Sequence, residues 1–203
     1  GFLTLSMSSR KLVPGRWQLM AELSYEFVAN MVKENVGSEG RKYFPFIFSL
    51  FMFILFSNLF GMVPFPEIGY TPTSQIIVTF AMAFVVFIGV TLIALARHGL
   101  KFFTFFFPSG APVYMAPLLI PIEVISYFVR PVSLSVRLFA NMMAGHTMLK
   151  VFGGFVVALG VFGVAPLALI VALTAFEILV AVLQAYVFTI LTCLYLHDAI
   201  HLH

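Results

Sequence analysis

The chain has 203 residues, 62% of them hydrophobic and 9% charged, with a formal net charge of +3 and a mean hydropathy of +1.07. Soluble domains are roughly 25% charged and under about 50% apolar, so the composition excludes a soluble globular protein and describes a polytopic membrane protein. A charge so small and scattered, without a basic run interleaved with aromatics, excludes nucleic acid as a partner, and the single cysteine, Cys193, excludes an internal disulfide and a cysteine-ligated metal.

In chain order, residues 1–12, GFLTLSMSSRKL, read as the end of a truncated first apolar segment. Residues 13–42 are expected to form an amphipathic helix on the membrane surface. Charged residues from Arg16 to Lys42 alternate there with Trp17, Met20, Leu23, Phe27 and Met31, whose spacings of three and four place them on one stripe, and Gly37 closes the helix. A transmembrane hairpin follows over 43–96. Tyr43–Val63 and Gln75–Ala96 each offer the ~20 apolar residues a bilayer core requires, and PFPEIGYTPTS turns the chain between them. Arg41 and Lys42 precede this hairpin while Arg97, His98 and Lys101 follow it, so both of its ends face the cytoplasm or matrix. Residues 97–117, broken by Pro108, Pro112 and Pro117, are expected to lie in the interface rather than cross.

Residues 118–203 predict a long, strongly tilted helical hairpin. Pro131 to about Leu159 and Ala165 to about Leu196 are apolar helical stretches joined by GVFGVAP. At 1.5 Å per residue each is about 40 Å long, more than the ~30 Å hydrocarbon core, so each tilts steeply or lies across the membrane. The expected fold class is therefore an all-α polytopic membrane protein, a single membrane domain over 1–203.

Polar residues are few in this last segment. Arg137 stands between Val136 and Leu138 with Asn141 one turn on. A guanidinium keeps its charge at any accessible pH, so an intramembrane arginine marks a function that needs a fixed cation. Arg130 and Lys150, near helix ends, suit snorkelling to lipid headgroups. Folding the hairpin at its turn sets Arg137 opposite Gln184 or Ala185, and His146 opposite Glu177 or Phe176. An imidazole beside a carboxylate is either a structural pair or a proton relay. The nine residues from 137 to 146 turn a helix by about half a circle, so Arg137 and His146 define two sites facing different ways. Glu123, at heptad spacing from Arg130 and Arg137, either pairs with Arg130 or serves function. Asn141 is open between a helix–helix hydrogen bond and a functional role, and the glycines at 145, 153, 154, 160 and 163 read as close-packing positions.

At this point the motifs become recognisable. SLSVRLFANMMAGHTML closely resembles the signature of the subunit a family of F-type ATP synthases; LQAYVFTILTCLYL, SNLFGMVPF and VPGRWQ resemble its last helix, its first hairpin and its surface-helix entry. The resemblance implies a proton-translocating stator, without a catalytic residue, cofactor or metal of its own. Its implied partners are the c-ring, peripheral stalk b-type subunits, the lipid bilayer and protons. Some bacterial members exchange the residue types found at His146 and Glu177, so the order here leans towards the mitochondrial inner membrane, with a bacterial plasma membrane as the other setting.

The chemistry implied is physically coherent. A ring carboxylic acid facing lipid stays neutral, but a cation within about 4–6 Å lowers its pKa by roughly 1 to 3, so Arg137 would make each arriving carboxylate release its proton. Two offset aqueous half-channels then force protons to ride the ring. His146 and Glu177 are expected to serve the outer half-channel and Glu123, Ser126 and Tyr127 the inner one, with Asn141 and Gln184 among the proton-translocation residues. Two other classes stay open. A secondary transporter using Arg137 to bind an anionic substrate should show internal repeats, of which none is seen. An intramembrane enzyme built on His146 and Glu177 should carry a nucleophile motif or HExxH spacing, and neither is present.

Overall fold

A computed structural model of the chain describes residues 15–62, 74–99 and 113–201, and all regular structure among them is helical. The first segment 1–12, the turn carrying Glu67 and most of the 97–117 loop lie outside the described residues.

Helix α1 (Arg16–Val36) ends at Gly37, whose φ of 81° belongs to glycine. A 3-10 turn, Ser38–Lys42, then folds back onto α1: a Cβ on Gly40 would stand 2.8 Å from atoms of Val32 and Val36, so no larger residue fits there. Helix α2 (Phe44–Gly61) starts with Pro45 in its first turn, where the missing N–H costs no hydrogen bond. Helix α3 (Ile76–His98) closes with Arg97 and His98 against its negative dipole end. Helices α4 (Ala116–Leu159) and α5 (Val164–Ile200) are joined by the 3-10 turn Gly160–Gly163. All four of α2 to α5 are long and apolar enough to cross a membrane. With 44 and 37 residues, α4 and α5 are roughly 66 and 55 Å long, about twice the hydrocarbon thickness, so neither runs straight across it.

The core forms where small and branched residues repeat at three and four. Ile47, Phe51 and Ile54 of α2, Ala83, Val86, Val90 and Ala94 of α3, Leu134 and Leu138 of α4, and Ala185, Phe188, Cys193 and Leu196 of α5 meet there. The buried hydroxyls of Thr189 and Thr192 return 2.8 and 2.9 Å hydrogen bonds to Ala185 O and Phe188 O, which makes them tolerable inside. Helix α5 packs on all four other helices. Three polar contacts lie at one end of the bundle. Glu39 pairs with Arg97, His98 Nε2 lies 3.1 Å from Ile200 O, and Arg130 Nη1 lies 3.3 Å from Asp198 Oδ2.

One sequence expectation needs correction, and α1 shows two apolar faces. The stripe that packs α1 against α2 and α5 is Ala21, Val28, Met31, Val32 and Val36, while Met20, Leu23 and Phe27 of the stripe expected on the membrane are 56%, 56% and 46% exposed. Spacings of three and four fit either stripe, and in a bilayer the larger residues gain nothing by turning inward, while smaller ones allow close helix approach. The Trp17 side chain lies outside the described residues. The correction concerns helix α4, which begins at Ala116, well before Pro131, because Pro121 and Pro131 are absorbed within it. Pro131 is buried between α3 and α5, and inside a membrane protein neighbouring helices support the backbone groups a proline frees.

Candidate functional site

Three side-chain contacts set α4 against α5. Arg130 meets Asp198, Asn141 Nδ2 donates to Gln184 Oε1 at 2.8 Å, and His146 Nδ1 lies 3.7 Å from Glu177 Oε1. The partners advance in opposite directions along the chain, so the helices are antiparallel. The expected facing of His146 and Glu177 appears directly. Gln184, expected opposite Arg137, is instead engaged by Asn141, one turn further along α4.

Between the Asn141–Gln184 and His146–Glu177 contacts lies a cavity of about 390 Å³. Asn141, Glu177 and Gln184 supply its polar lining, and Gly145, Phe176 and Leu183 belong to its wall. Gln184 Nε2 and both Glu177 carboxylate oxygens are buried there without a hydrogen-bond partner among the described residues. Apolar cavities stay dry, but one with several polar groups and this volume can hold hydrogen-bonded water. Two residues outside the sequence-based site shape this one. A Cβ on Gly145 would stand 2.6 Å from Glu177 Oε1 and 2.9 Å from its Cδ, so only glycine lets the carboxylate lie flat against α4. Asn58 of α2, fully buried, donates to Ala181 O of α5 at 3.2 Å, midway between Glu177 and Gln184. Its signal in the sequence was an asparagine within an apolar span.

Arg137 stands apart from these contacts. It is exposed, and its side chain forms no hydrogen bond or ion pair among the described residues. Ser133, Ala140 and Ala144, at neighbouring positions on the same face, are also exposed, so a strip of small residues flanks the guanidinium.

The remaining predicted residues lie earlier on α4. Tyr127 is buried, with its hydroxyl 2.6 Å from that of Thr91 on α3, while Ser126 is exposed and Glu123 half-buried. Arg130 pairs with Asp198 rather than Glu123, and its guanidinium carbon lies 5.8 and 5.3 Å from the ring centres of Tyr127 and Tyr195. This removes both the Glu123–Arg130 pairing and a purely lipid-facing Arg130. Thr91, Tyr195 and Asp198 complete this second polar cluster.

The profile of a family described as ATP synthase A chain matches residues 1–197. A protein named ATP synthase subunit a from Paramagnetospirillum magneticum is 66% identical over 100% of this chain and 83% of its own length. Proteins of the same name from Pelagibacter ubique and Rhodospirillum rubrum are each 57% identical, over 99% and 100% of this chain and 82% and 83% of their own lengths. All three relatives are bacterial. They support a bacterial membrane and not the mitochondrial lean taken from the order of His146 and Glu177.

Proposed function

Because the chain belongs to the ATP synthase A chain family, we propose that it is the proton-translocating stator of a rotary ATP synthase in a bacterial energy-coupling membrane. Its partners are then a ring of carboxylate-bearing hairpins, the c-ring, and b-type stalk subunits. It catalyses no reaction on its own. The observation that carries this reading is the exposed, unpaired Arg137. A permanent cation on a membrane-facing surface needs an anion, and this chain provides none within bonding reach among the described residues. A ring carboxylate passing the strip of Ser133, Ala140 and Ala144 would supply it, because small side chains let another helix come close.

Chemistry and geometry then cooperate. The cavity of Asn141, Glu177 and Gln184 leads protons from the outer side to the ring, with His146 and Glu177 as relay. Arg137, one turn before Asn141, strips the proton from each arriving carboxylate and repels hydronium, so no proton passes from one half-channel to the other without riding the ring. Glu123, Ser126 and Tyr127 serve the exit. Each proton crossing the membrane supplies about 2.3 kcal/mol per 100 mV, so several must cross for each ATP made.

The test is ATP-driven acidification of inverted vesicles holding equal amounts of assembled complex. Arg137→Ala should abolish it, and so should Arg137→Lys, whose ammonium lacks the planar fork and can discharge. Pumping at the normal rate by either variant would remove Arg137 from the gate.

A further inference from the structure

We propose that the groove where α1 turns into α2 binds an anionic phospholipid, its phosphate between Lys33 and Arg41 and its acyl chains along Ala29, Val32 and Phe44. The groove has a volume of about 480 Å³ and is lined by these residues together with Tyr25, Gly37 and Ser38. That volume falls within the roughly 300–1,000 Å³ of small-molecule sites.

The backbone creates the pairing of charges. Gly37, with its positive φ, ends α1, and the tight seat of Gly40 on Val32 and Val36 turns Ser38–Lys42 back along the helix. Lys33 and Arg41, eight positions apart in the chain, thus reach the rim of one groove. Neither side chain makes an ion pair or hydrogen bond among the described residues, whereas nearby Glu39 is already committed to Arg97. The rim is therefore net cationic. Tyr25 packs edge-on against Phe44, ring centres 4.7 Å apart, which gives the groove an aromatic wall.

Position and chemistry select the ligand. The groove lies at the bundle end that holds Arg41, Lys42, Arg97 and His98, the side that faces the anionic cytoplasmic leaflet. A free anion would engage the rim alone and leave the walls of Ala29, Val32 and Phe44 unused. A phospholipid satisfies both halves, since Lys and Arg bind the phosphate while the acyl chains cover the apolar surface.

The experiment uses the assembled complex reconstituted into phosphatidylcholine vesicles with a minor fraction of photoreactive phosphatidylglycerol, labelled peptides being located by mass spectrometry. Label should fall on residues 25–44, and unlabelled phosphatidylglycerol should displace it where phosphatidylcholine and inorganic phosphate do not. Each basic side chain near an anionic surface is worth roughly a fivefold factor, so Lys33→Gln with Arg41→Gln should cut labelling about twenty-five-fold, while Lys33→Arg keeps it. Ala29→Trp, which fills the groove without changing charge, should also abolish the label, and replaces the double variant if that fails to assemble. Undiminished labelling in these variants, or equal displacement by phosphatidylcholine or inorganic phosphate, would overturn the site. So would a cross-link from Ala29→Cys to another polypeptide in place of lipid.

Discussion

At the scale of single residues, the site depends on what is small as much as on what is charged. Gly145 reads in the sequence as one more packing glycine, and nothing local separates it from Gly153 or Gly154, around which a Cβ would meet only open space. The difference comes from α5, which lays Glu177 across position 145 and no side chain across the other two. Gly145→Ala should displace the Glu177 carboxylate at a cost of about 1 kcal/mol, because the obstructing atoms are the end of a flexible side chain rather than backbone. Assembly should survive and proton conduction fall. Passive conductance of the assembled complex, per complex, checks this, and an unchanged conductance would detach the position of Glu177 from conduction. Glu123 makes the complementary case. With Arg130 committed to Asp198, its carboxylate has no ion pair among the described residues, so Glu123→Gln should slow coupled transport without uncoupling it. The discriminating measurement is pumping at equal complex content; a rate equal to that of the parent chain would leave the inner path without this acid.

Between elements, the antiparallel seam of α4 and α5 was legible because it joins rare polar residues. Turn chemistry located the fold-back, and counting outward from it brought His146 to Glu177. The same count missed the partner of Gln184 by one turn, since a register read from the turn accumulates error along helices that do not run perfectly parallel. The inward face of α1 was illegible for a different reason: hydrophobicity ranks side chains against water, and in a bilayer the outside is apolar too. Asn58 shows what such ranking hides. Its bond to Ala181 O ties α2 to α5 between the two polar contacts, and Asn58→Leu leaves that carbonyl without its amide donor. Intramembrane hydrogen bonds are worth about 0.6 to 2 kcal/mol, so subunit retention should drop modestly in a detergent titration while conduction falls further, as α5 loses its fixed height. Equal losses in both would mean that Asn58 only stabilises.

Across the whole molecule, the contacts that matter converge on one helix. Helix α5 packs on α1, α2, α3 and α4, and it supplies Ala181 to Asn58, Ile200 to His98 and Asp198 to Arg130. Among the described helices it is the last to leave the ribosome. Until it arrives, the earlier described helices carry a buried amide, an imidazole and a guanidinium still awaiting their partners, so the nascent chain fits the bilayer poorly until α5 has been made. Chains stopped after residue 175 should insert yet be short-lived in cells and bound to quality-control proteases, whereas chains reaching Ile200 persist; pulse-chase lifetimes of the two would reveal it. An unfinished chain is thus marked for removal, because the helix that carries the partners of Asn58, His98 and Arg130 is made after them.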